Sequence, residues 1–379
     1  MITLPEYIKK ILTTLNTHNY EAFVVGGSIR NALLNLPIVD YDITTNAKPY
    51  ELLGLFKEYP CLTHGMKHGT ITIIVENHPV EVTTYRIEGN YTNHRFPSTV
   101  EFTTSLQEDC RRRDFTINAL CYHPNTGILD YFNGLKDLHH QCIRCIDDPF
   151  ARFEEDALRI LRAIRFASQL HFTIEDTTKQ AIFEKQGLLN HISNARLLQE
   201  ANQILCSQHP AIFLDYPKIL YFLFQVHTMD TTMNHLPNLL PVRLAHLLKD
   251  HKDYKTILKQ RQYDKKTIKQ VDAIIHQQHN PLDQKGALTL LQNYPKEYPL
   301  ILQYLCSLRD LNYQNELDKL HTIDIYDVKH LAITGKDLPT SIEPKQRSFV
   351  LKTLLEFVIN KKINNTKEDL LDYIKNNIQ

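Results

Sequence analysis

The sequence predicts an α+β fold, in which a small head with a mixed β-sheet is followed by an all-helical remainder. Up to about residue 140, β-branched runs such as TITIIVE and PVEVTTYRI alternate with segments of helical spacing. From Arg152 onward, long segments with a 3.6-residue period follow one another with almost no strand pattern. Turn-forming residues interrupt these helical segments at Pro210, Pro281 and Gly335.

The chain has 379 residues, which is enough for more than one domain. Within the predicted fold we expect four successive parts. They are a catalytic head over 1–140, a helical neck over 141–210, a helical body over 211–320 and a helical tail over 321–379.

Composition excludes some classes of protein. No apolar run is long enough to cross a membrane, and the start MITLPEYIKKILTTL reads as a first helix and not as a signal peptide. The seven cysteines, an odd number, favour reduced thiols and a cytoplasmic location. The 43 basic and 43 acidic residues cancel, so binding of nucleic acid would require positive charge gathered on one surface.

A glycine turn near residue 26 is the first feature that indicates chemistry. EAFVVGG reads as a strand that ends in glycines, and SIRNALLNL has helical spacing. Gly26 and Gly27 therefore join a strand to a helix, where glycine lets the backbone approach a phosphate. Arg30 lies one helical turn further on and is placed to bind the same anion.

Three acidic residues follow this turn. In VDYDIT, Asp40 and Asp42 are two positions apart on a predicted strand, so both carboxylates point to the same face. Like charges this close repel each other unless a cation lies between them. Glu81, in PVEVTTYRI, is a third carboxylate that can lie on a neighbouring strand. Two Mg²⁺ ions bridged by such carboxylates can activate a 3′-hydroxyl and stabilise a leaving pyrophosphate.

The segment GGSIRNALLNLPIVDYDITTNA resembles the catalytic signature of class II tRNA nucleotidyltransferases and bacterial poly(A) polymerases, in the DNA polymerase β superfamily. The resemblance covers roughly residues 20 to 205 without a gap. It continues through HGTITIIVENHPVEVTTYR, EDCRRRDFTINAL, DYFNGLKDL, DDPFARFEEDALRILRAIRFASQL and HISNARLLQE. It implies template-independent transfer of nucleotides to RNA.

The resemblance also implies roles for individual residues. Asp40 and Asp42 match the metal-binding aspartates, and Glu81 matches the acidic position beside them. Asp114 and Asn118 match a motif that shapes the ribose site. The residues that match nucleotide-binding positions are Gly26, Gly27, Arg30, Arg113, Asp156, Arg159, Arg162 and Arg165.

Asp156 and Arg159, in EEDALRILRAIRF, are three residues apart and are expected on one face of a helix. Cytosine and adenine each present an amino donor beside a ring-nitrogen acceptor, whereas uracil and guanine present a carbonyl acceptor beside an N–H donor. A carboxylate paired with a guanidinium therefore suits C and A and rejects U and G. The resemblance implies that this pair reads the base and that Arg162 and Arg165 contact phosphates. The simpler alternative is an ion pair on a solvated helix.

Several positions depart from the family's pattern. EGNYTNHRFP, residues 88–97, reads as a flexible loop and resembles one that CCA-adding enzymes need to switch from C to A. Its length is kept, but Glu88, Asn93 and Phe96 stand where the family often has Asp, Asp and Arg. Further departures are Asn31 for a common Asp, Asp147 for a common Gly, and Ala195 for the Glu usual before Arg196.

The sequence therefore predicts sequential addition of C, C and A to the tRNA 3′ end from CTP and ATP, with Mg²⁺ as the cofactor. Helical body and tail would bind the acceptor stem and TΨC arm of the tRNA, in a monomer or homodimer. The alternatives are a CC- or A-adding enzyme, a poly(A) polymerase, and an inactive RNA-binding relative. EDALR, without a proline after the acidic pair, and the retained 88–97 segment favour addition of all three nucleotides.

Overall fold

The structure is a computed structural model that describes residues 2–92 and 96–377. The chain forms two compact units, the first ending at Asp230 and the second beginning at Thr231. A mixed sheet occupies the N-terminal part and helices dominate the rest, which confirms the predicted fold class. The finer division into four parts remains a prediction, because the compact units number two.

A seven-stranded mixed sheet forms the head, with strand order β3-β4-β5-β2-β1-β8-β9. The strands of the head are β1 (Ala22–Val25), β2 (Asp42–Thr45), β3 (Cys61–Leu62), β4 (Thr70–Val75), β5 (His78–Thr84), β6 (Arg86–Thr92), β7 (Phe96–Phe102), β8 (Cys121–His123) and β9 (Gly127–Leu129). Neighbours are antiparallel except β2 and β5, which are parallel. Because Val25 is the partner of both Asp42 and Cys121, the glycine turn after β1 lies at the same end of the sheet as Asp42.

Strands β6 and β7 form a separate antiparallel hairpin. The expectation of a flexible loop over 88–97 is therefore wrong for the described residues of that segment, which are paired in strands. Asn93 lies outside the described residues. The predicted single strand PVEVTTYRI is also divided, because β5 ends at Thr84 and β6 begins at Arg86.

The helices of the head pack on the sheet through apolar faces. They are α1 (Glu6–Thr17), α2 (Gly27–Leu33), α3 (Pro49–Leu55), α4 (Leu106–Arg111) and α5 (Gly134–His139). On α1 the buried residues recur at the helical spacing, as Ile8, Ile11, Leu12 and Leu15. In β4 every second residue is buried, so one face of the strand joins the same core.

The rest of the first unit is helical apart from one small feature. Its helices are α6 (Pro149–Glu155), α7 (Leu158–Leu170), α8 (Asp176–Lys185), α9 (Asn194–Leu205) and α10 (Pro217–Phe224). The prediction of an all-helical neck misses one parallel pair of two-residue strands, β10 (Cys142–Ile143) and β11 (Thr173–Ile174). This pair ties the segment before α6 to the segment after α7.

The second unit contains helices and short turns of 3₁₀ helix. Its α-helices are α11 (Leu240–Leu248), α12 (Tyr254–Gln260), α13 (Lys265–His276), α14 (Gln284–Asn293), α15 (Tyr298–Arg309), α16 (Tyr313–His321), α17 (Pro344–Ile359) and α18 (Lys367–Asn377). Arg243 on α11 is fully buried and donates to the Asn238 side chain, with Nη2 to Oδ1 2.6 Å. Leu354 and Leu370 belong to a separate apolar core at the C-terminal end. Among the described residues, no helix combines the length and apolarity that a membrane crossing requires.

Candidate active site

The glycine turn is built by its backbone conformation and by close neighbours. Gly26 has φ of +78°, a left-handed conformation that side chains rarely adopt. A Cβ added there would lie 3.4 Å from Nη1 of Arg113 and 4.0 Å from Oδ2 of Asp42. Its amide donates to Leu120 O at 3.3 Å. This amide is therefore occupied, and the turn brings an arginine and an aspartate together around the backbone.

The predicted carboxylates lie beside this turn. Asp42 is the first residue of β2, whereas Asp40 precedes the strand, so the expectation that one strand carries both is wrong in detail. Glu81 on β5 is the register partner of Asp42, as the sequence suggested. All three side chains are exposed.

The protein surroundings nevertheless disfavour the charge on Asp42. The pKa of its carboxyl is raised to about 6, chiefly because protein atoms on the sides of the cleft remove solvent from it. The positive charge of Arg113 lowers this pKa, and the negative charges of Asp40 and Glu81 raise it further. A cation beside these carboxylates would reverse the effect.

The donor set fits Mg²⁺ held jointly with a substrate. Across the described residues, no group of three or more His, Cys, Asp or Glu side chains is arranged to hold a metal ion by itself. Mg²⁺ is commonly bound by one or two carboxylates that share it with substrate phosphates. Asp40 and Asp42 supply two carboxylates at one end of the sheet, next to the cleft where a phosphate would lie.

A polar cleft of about 580 Å³ gathers all the predicted site residues except Glu81. The residues that line it are Gly26, Gly27, Arg30, Asp40, Asp42, Arg86, Arg112, Arg113, Asp114, Asn118, Asp156, Arg159, Arg162, Arg165 and Phe166. Seven of these side chains are arginines. Although the chain as a whole has no net charge, basic side chains are therefore concentrated in this cleft. Such a surface favours a polyanionic ligand.

Two arginines lie beside the glycine turn, Arg113 next to Gly26 and Arg30 next to Gly27. Arg30 is buried and donates to the amide oxygens of Asn118, at 2.6 Å from Nη1, and of Asn31. Burial lowers the pKa of Arg30 to about 10, and the charges of Arg165 and Arg162 contribute to the lowering. Arg113 lies 3.6 Å from Asp109, and its buried Nε has no hydrogen-bond partner in the described part of the chain. That orphaned donor points to an anionic or polar ligand.

Helix α7 contributes a second group of arginines around an aromatic ring. Arg162 forms an ion pair with the buried carboxylate of Asp114 at 2.6 Å, which holds the pKa of Asp114 well below its usual range despite burial. Arg165 contacts Glu200 at 2.6 Å. The Arg165 guanidinium also lies 4.1 Å from the centre of the Phe166 ring. Arg30 and Arg162 lie 5.0 and 5.4 Å from the same ring.

The proposed base-reading residues are not on one continuous helix. Helix α6 ends at Glu155 and α7 begins at Leu158, with Asp156 in an extended conformation between them. Asp156 contacts Arg196 at 3.2 Å, whereas Arg159 donates to Glu155 at 2.7 Å. The expected pairing of Asp156 with Arg159 across one helix face is therefore wrong for this structure. Both side chains still line the cleft.

Several residues of the site were not predicted from the sequence. Arg86, Arg112 and Phe166 line the cleft, and Glu155 and Glu200 hold its arginines. Glu155 and Phe166 are each next in sequence to a predicted site residue, and this adjacency is the sequence feature from which they could have been predicted. Glu200 is contributed by α9 and ends the motif HISNARLLQE, which the resemblance covered without giving this residue a role.

Paired carboxylates at the end of a mixed sheet, beside a glycine turn and an arginine-lined cleft, define a nucleotidyltransferase. Three family models match the chain: "Poly A polymerase head domain" over residues 22–144, "Probable RNA and SrmB- binding site of polymerase A" over 171–216, and tRNA nucleotidyltransferase domain 2 over 242–374. The CCA-adding enzyme of Pediococcus pentosaceus is 34% identical over 386 residues, covering 97% of this chain and 97% of that protein. The chain belongs to the family of CCA-adding enzymes.

Solved structures agree with this assignment. The Bacillus stearothermophilus CCA-adding enzyme in complex with CTP matches with a TM-score of 0.80 at 25% identity, covering 99% of this chain and 98% of that one. The Thermotoga maritima CCA-adding enzyme complexed with tRNA matches with a TM-score of 0.70 at 20% identity, covering 99% and 96%. The second likeness establishes a shared fold.

Proposed function

We propose that this enzyme adds C, C and A in sequence to the 3′ end of tRNA, using CTP and ATP and releasing pyrophosphate. The observation that carries the proposal is the meeting of Asp40, Asp42, Arg113, Asp156 and Arg159 in one cleft. Carboxylates for a metal-assisted transfer and a carboxylate and guanidinium for base selection are thus within reach of one nucleotide.

Asp40 and Asp42 would hold two Mg²⁺ ions, with Glu81 as an additional acidic residue beside them. When bound, Mg²⁺ supplies charge neutralisation for the attacking 3′-oxygen and the leaving pyrophosphate. In the reaction, the tRNA 3′-hydroxyl attacks the α-phosphorus in line, a new P–O bond forms and the bond to pyrophosphate breaks. The chain itself contributes mainly positioning and charge complementarity.

The triphosphate would lie against the basic side of the cleft. Arg30 and Arg113 are placed to contact it near the Gly26 and Gly27 turn, and the orphaned Nε of Arg113 is a donor for an oxygen there. Asp114 and Asn118 would orient the ribose. Arg162 and Arg165 would bind further phosphate oxygens, and their carboxylate partners keep both guanidinium groups in place before substrate arrives. These further arginines complete the predicted nucleotide-binding set.

Asp156 and Arg159 would select the base. A carboxylate accepts from the amino group that cytosine and adenine share, and a guanidinium donates to the adjacent ring nitrogen. Arg196 and Glu155 hold the two side chains by separate contacts, so the base would lie between two independently supported groups. Uracil and guanine would place a carbonyl opposite the carboxylate and an N–H opposite the guanidinium.

The four parts, 1–140, 141–210, 211–320 and 321–379, would divide the task. The head and neck carry catalysis and base selection, while the body and tail bind the acceptor stem and TΨC arm of tRNA. A cytoplasmic location is proposed, in keeping with seven free cysteines. The enzyme would act as a monomer or homodimer.

The decisive experiment measures incorporation onto tRNA transcripts that end at the discriminator base, at C and at CC. Each transcript is incubated with CTP, ATP or both, and products are resolved to single nucleotides. Addition that proceeds to CCA and stops supports the proposal. A stop at CC, addition of A only to CC ends, or an A tail would select a related activity. No incorporation with Mg²⁺ would favour an inactive RNA-binding protein.

A further inference from the structure

The Asn31 side chain forms a bridge between two parts of the active site. Its Oδ1 accepts from Nε of Arg30 at 3.1 Å and from Nη2 of the same residue at 2.8 Å. Its Nδ2 donates to the carbonyl oxygen of Pro37 at 2.9 Å. Because Arg30 can only donate and a carbonyl can only accept, these partners fix the orientation of the amide.

Pro37 lies in the short segment that connects α2 to β2 and carries Asp40. Leu36 and Val39 in this segment are exposed, Val39 to 93%. The Asn31 contact is the hydrogen bond that holds residues 37–40, which form no other with the described part of the chain. Asp40 is three residues beyond the anchored carbonyl. It is also two residues before β2, which begins at Asp42, so this contact and the strand together limit the position of its carboxylate.

The neutral amide performs a task that a carboxylate cannot. An aspartate at position 31 would accept from Arg30, but it has no N–H to donate to Pro37 O and its negative charge would repel that oxygen. The other amide partner of Arg30 is Asn118, and no carboxylate of the described residues lies within ion-pair distance of this guanidinium. Arg30 is thus oriented by neutral groups and keeps its charge for an anion.

We propose that Asn31 is a positioning residue that couples Arg30, at the triphosphate side of the cleft, to the segment that places Asp40. The kinetic consequence rests on the proposed nucleotidyl transfer; the structural consequence does not. Residue 31 thereby sets the relative position of the phosphate-binding and metal-binding side chains, and it does so through its donor as well as its acceptor.

The test compares Asn31→Asp, Asn31→Ala and the control Asn35→Gly. Asn31→Asp retains the contact with Arg30 and loses the anchor, so we expect kcat for ATP addition to CC-ended tRNA to fall about tenfold, with nucleotide KM within about twofold of wild type. Asn31→Ala loses both contacts and should raise KM as well. Asn35 has a φ of +55° that glycine tolerates and should behave as wild type.

A second readout does not depend on activity. The Leu36 amide donates to Asn31 O at 2.8 Å, and its hydrogen exchange should become faster in Asn31→Asp at unchanged thermal stability. Unchanged exchange and unchanged kcat in Asn31→Asp would overturn the proposal, as would a rise in KM alone. If the wild-type protein adds no nucleotide, the proposed function is refuted. Hydrogen exchange of the Leu36 amide still decides in that case whether Asn31 positions the segment that carries Asp40.

Discussion

The two sides of the cleft differ in how their charges are supported. The acidic wall, consisting of Asp40, Asp42 and Glu81, is exposed and forms no ion pair with the described residues. The basic wall is buried or half-buried, and each of its members except Arg30 contacts a carboxylate. Its members are Arg30, Arg113, Arg159, Arg162 and Arg165.

This difference shows which part of the site is complete before substrate arrives. Arginines held by Asp109, Glu155, Asp114 and Glu200 need no reorganisation to meet a phosphate, which is the condition for electrostatic preorganisation. The acidic wall has no such partners, and the pKa of Asp42 is raised, chiefly by loss of solvent and further by the charges of Asp40 and Glu81. A cation would neutralise these carboxylates, and in the proposed reaction Mg²⁺ bound to the nucleotide would bring one.

The largest loss of nucleotide incorporation is expected from a substitution in the acidic wall. Asp40→Ala should lower nucleotide incorporation by about 1,000-fold or more, because one of two metal-binding carboxylates is lost. Binding of tRNA, measured by filter retention, should remain close to wild type. Val39→Ala, next in sequence and almost fully exposed, is the matched control and should retain activity. Retained incorporation in Asp40→Ala would refute the metal assignment.

A smaller but structural effect is expected at the basic wall. Asp114→Ala removes a buried carboxylate that forms an ion pair with Arg162 and accepts a hydrogen bond from the Asn118 amide. The free energy of unfolding, measured in urea, should therefore fall by about 2 kcal/mol. Glu108→Gln, which breaks an exposed pair with Arg111, should cost less than about 1 kcal/mol.

The pKa of Asp114 also predicts a pH dependence. It is lower in the folded than in the unfolded protein, so the stability it contributes is present above about pH 4 and lost as pH falls through the folded pKa. The difference between wild type and Asp114→Ala should therefore narrow in acid. A constant difference down to pH 3 would contradict this account.

The two walls also differ in how far the sequence predicted them. The acidic wall follows local patterns, since Asp40, Asp42 and the turn before them are close in sequence. The support of the basic wall was missed because Glu200 approaches from a separate helix and because Asp156 interrupts α6 and α7. Asp156 accepts from the Leu158 amide at 3.1 Å, and this local hydrogen bond competes with helix continuation.

The hairpin β6–β7 was missed for a similar reason. EGNYTNHRFP contains glycine, asparagine and charged residues, which have low strand propensity, and its strands exist only through pairing with one another. The helices and the glycine turn could be predicted because their patterns depend on residues that are close in sequence. Pairing between separate segments was not, because no single stretch of sequence encodes it.

A further prediction concerns the ionisation of Asp42 in the absence of substrate. Its pKa of about 6 in the folded protein lies above the unfolded value of 3.8, so ionisation disfavours the folded state increasingly as pH rises from about 4 to above 6. Asp42→Asn should match wild type in unfolding free energy near pH 4 and exceed it at pH 7. Because the side chain is exposed, the gain should be below about 1 kcal/mol.

Adding Mg²⁺ to the same two proteins tests whether Asp42 binds the ion. Thermal unfolding at pH 7 should show stabilisation of wild type by Mg²⁺ and little of Asp42→Asn, because only the wild type binds the ion with both carboxylates. Equal stabilisation of the two proteins would mean that the ion binds elsewhere. Equal pH profiles would mean that neither loss of solvent nor the charges of Asp40 and Glu81 raise the pKa of Asp42 in the folded protein.

The smallest change in stability and activity is expected at Asp147, a carboxylate that belongs to neither wall. Asp147 has a φ of +58°, so glycine, common at this position in the family, would relieve backbone strain there. Glycine also increases the freedom of the unfolded chain, and Asp147→Gly loses an exposed contact with Arg111 at 3.5 Å. These terms oppose each other, so the unfolding free energy should change by less than about 1 kcal/mol, with incorporation unchanged. Asp147→Ala loses the same contact and keeps the strain, so it should be the less stable variant. The reverse order would show that the greater freedom of glycine in the unfolded chain outweighs the relief of strain at this turn.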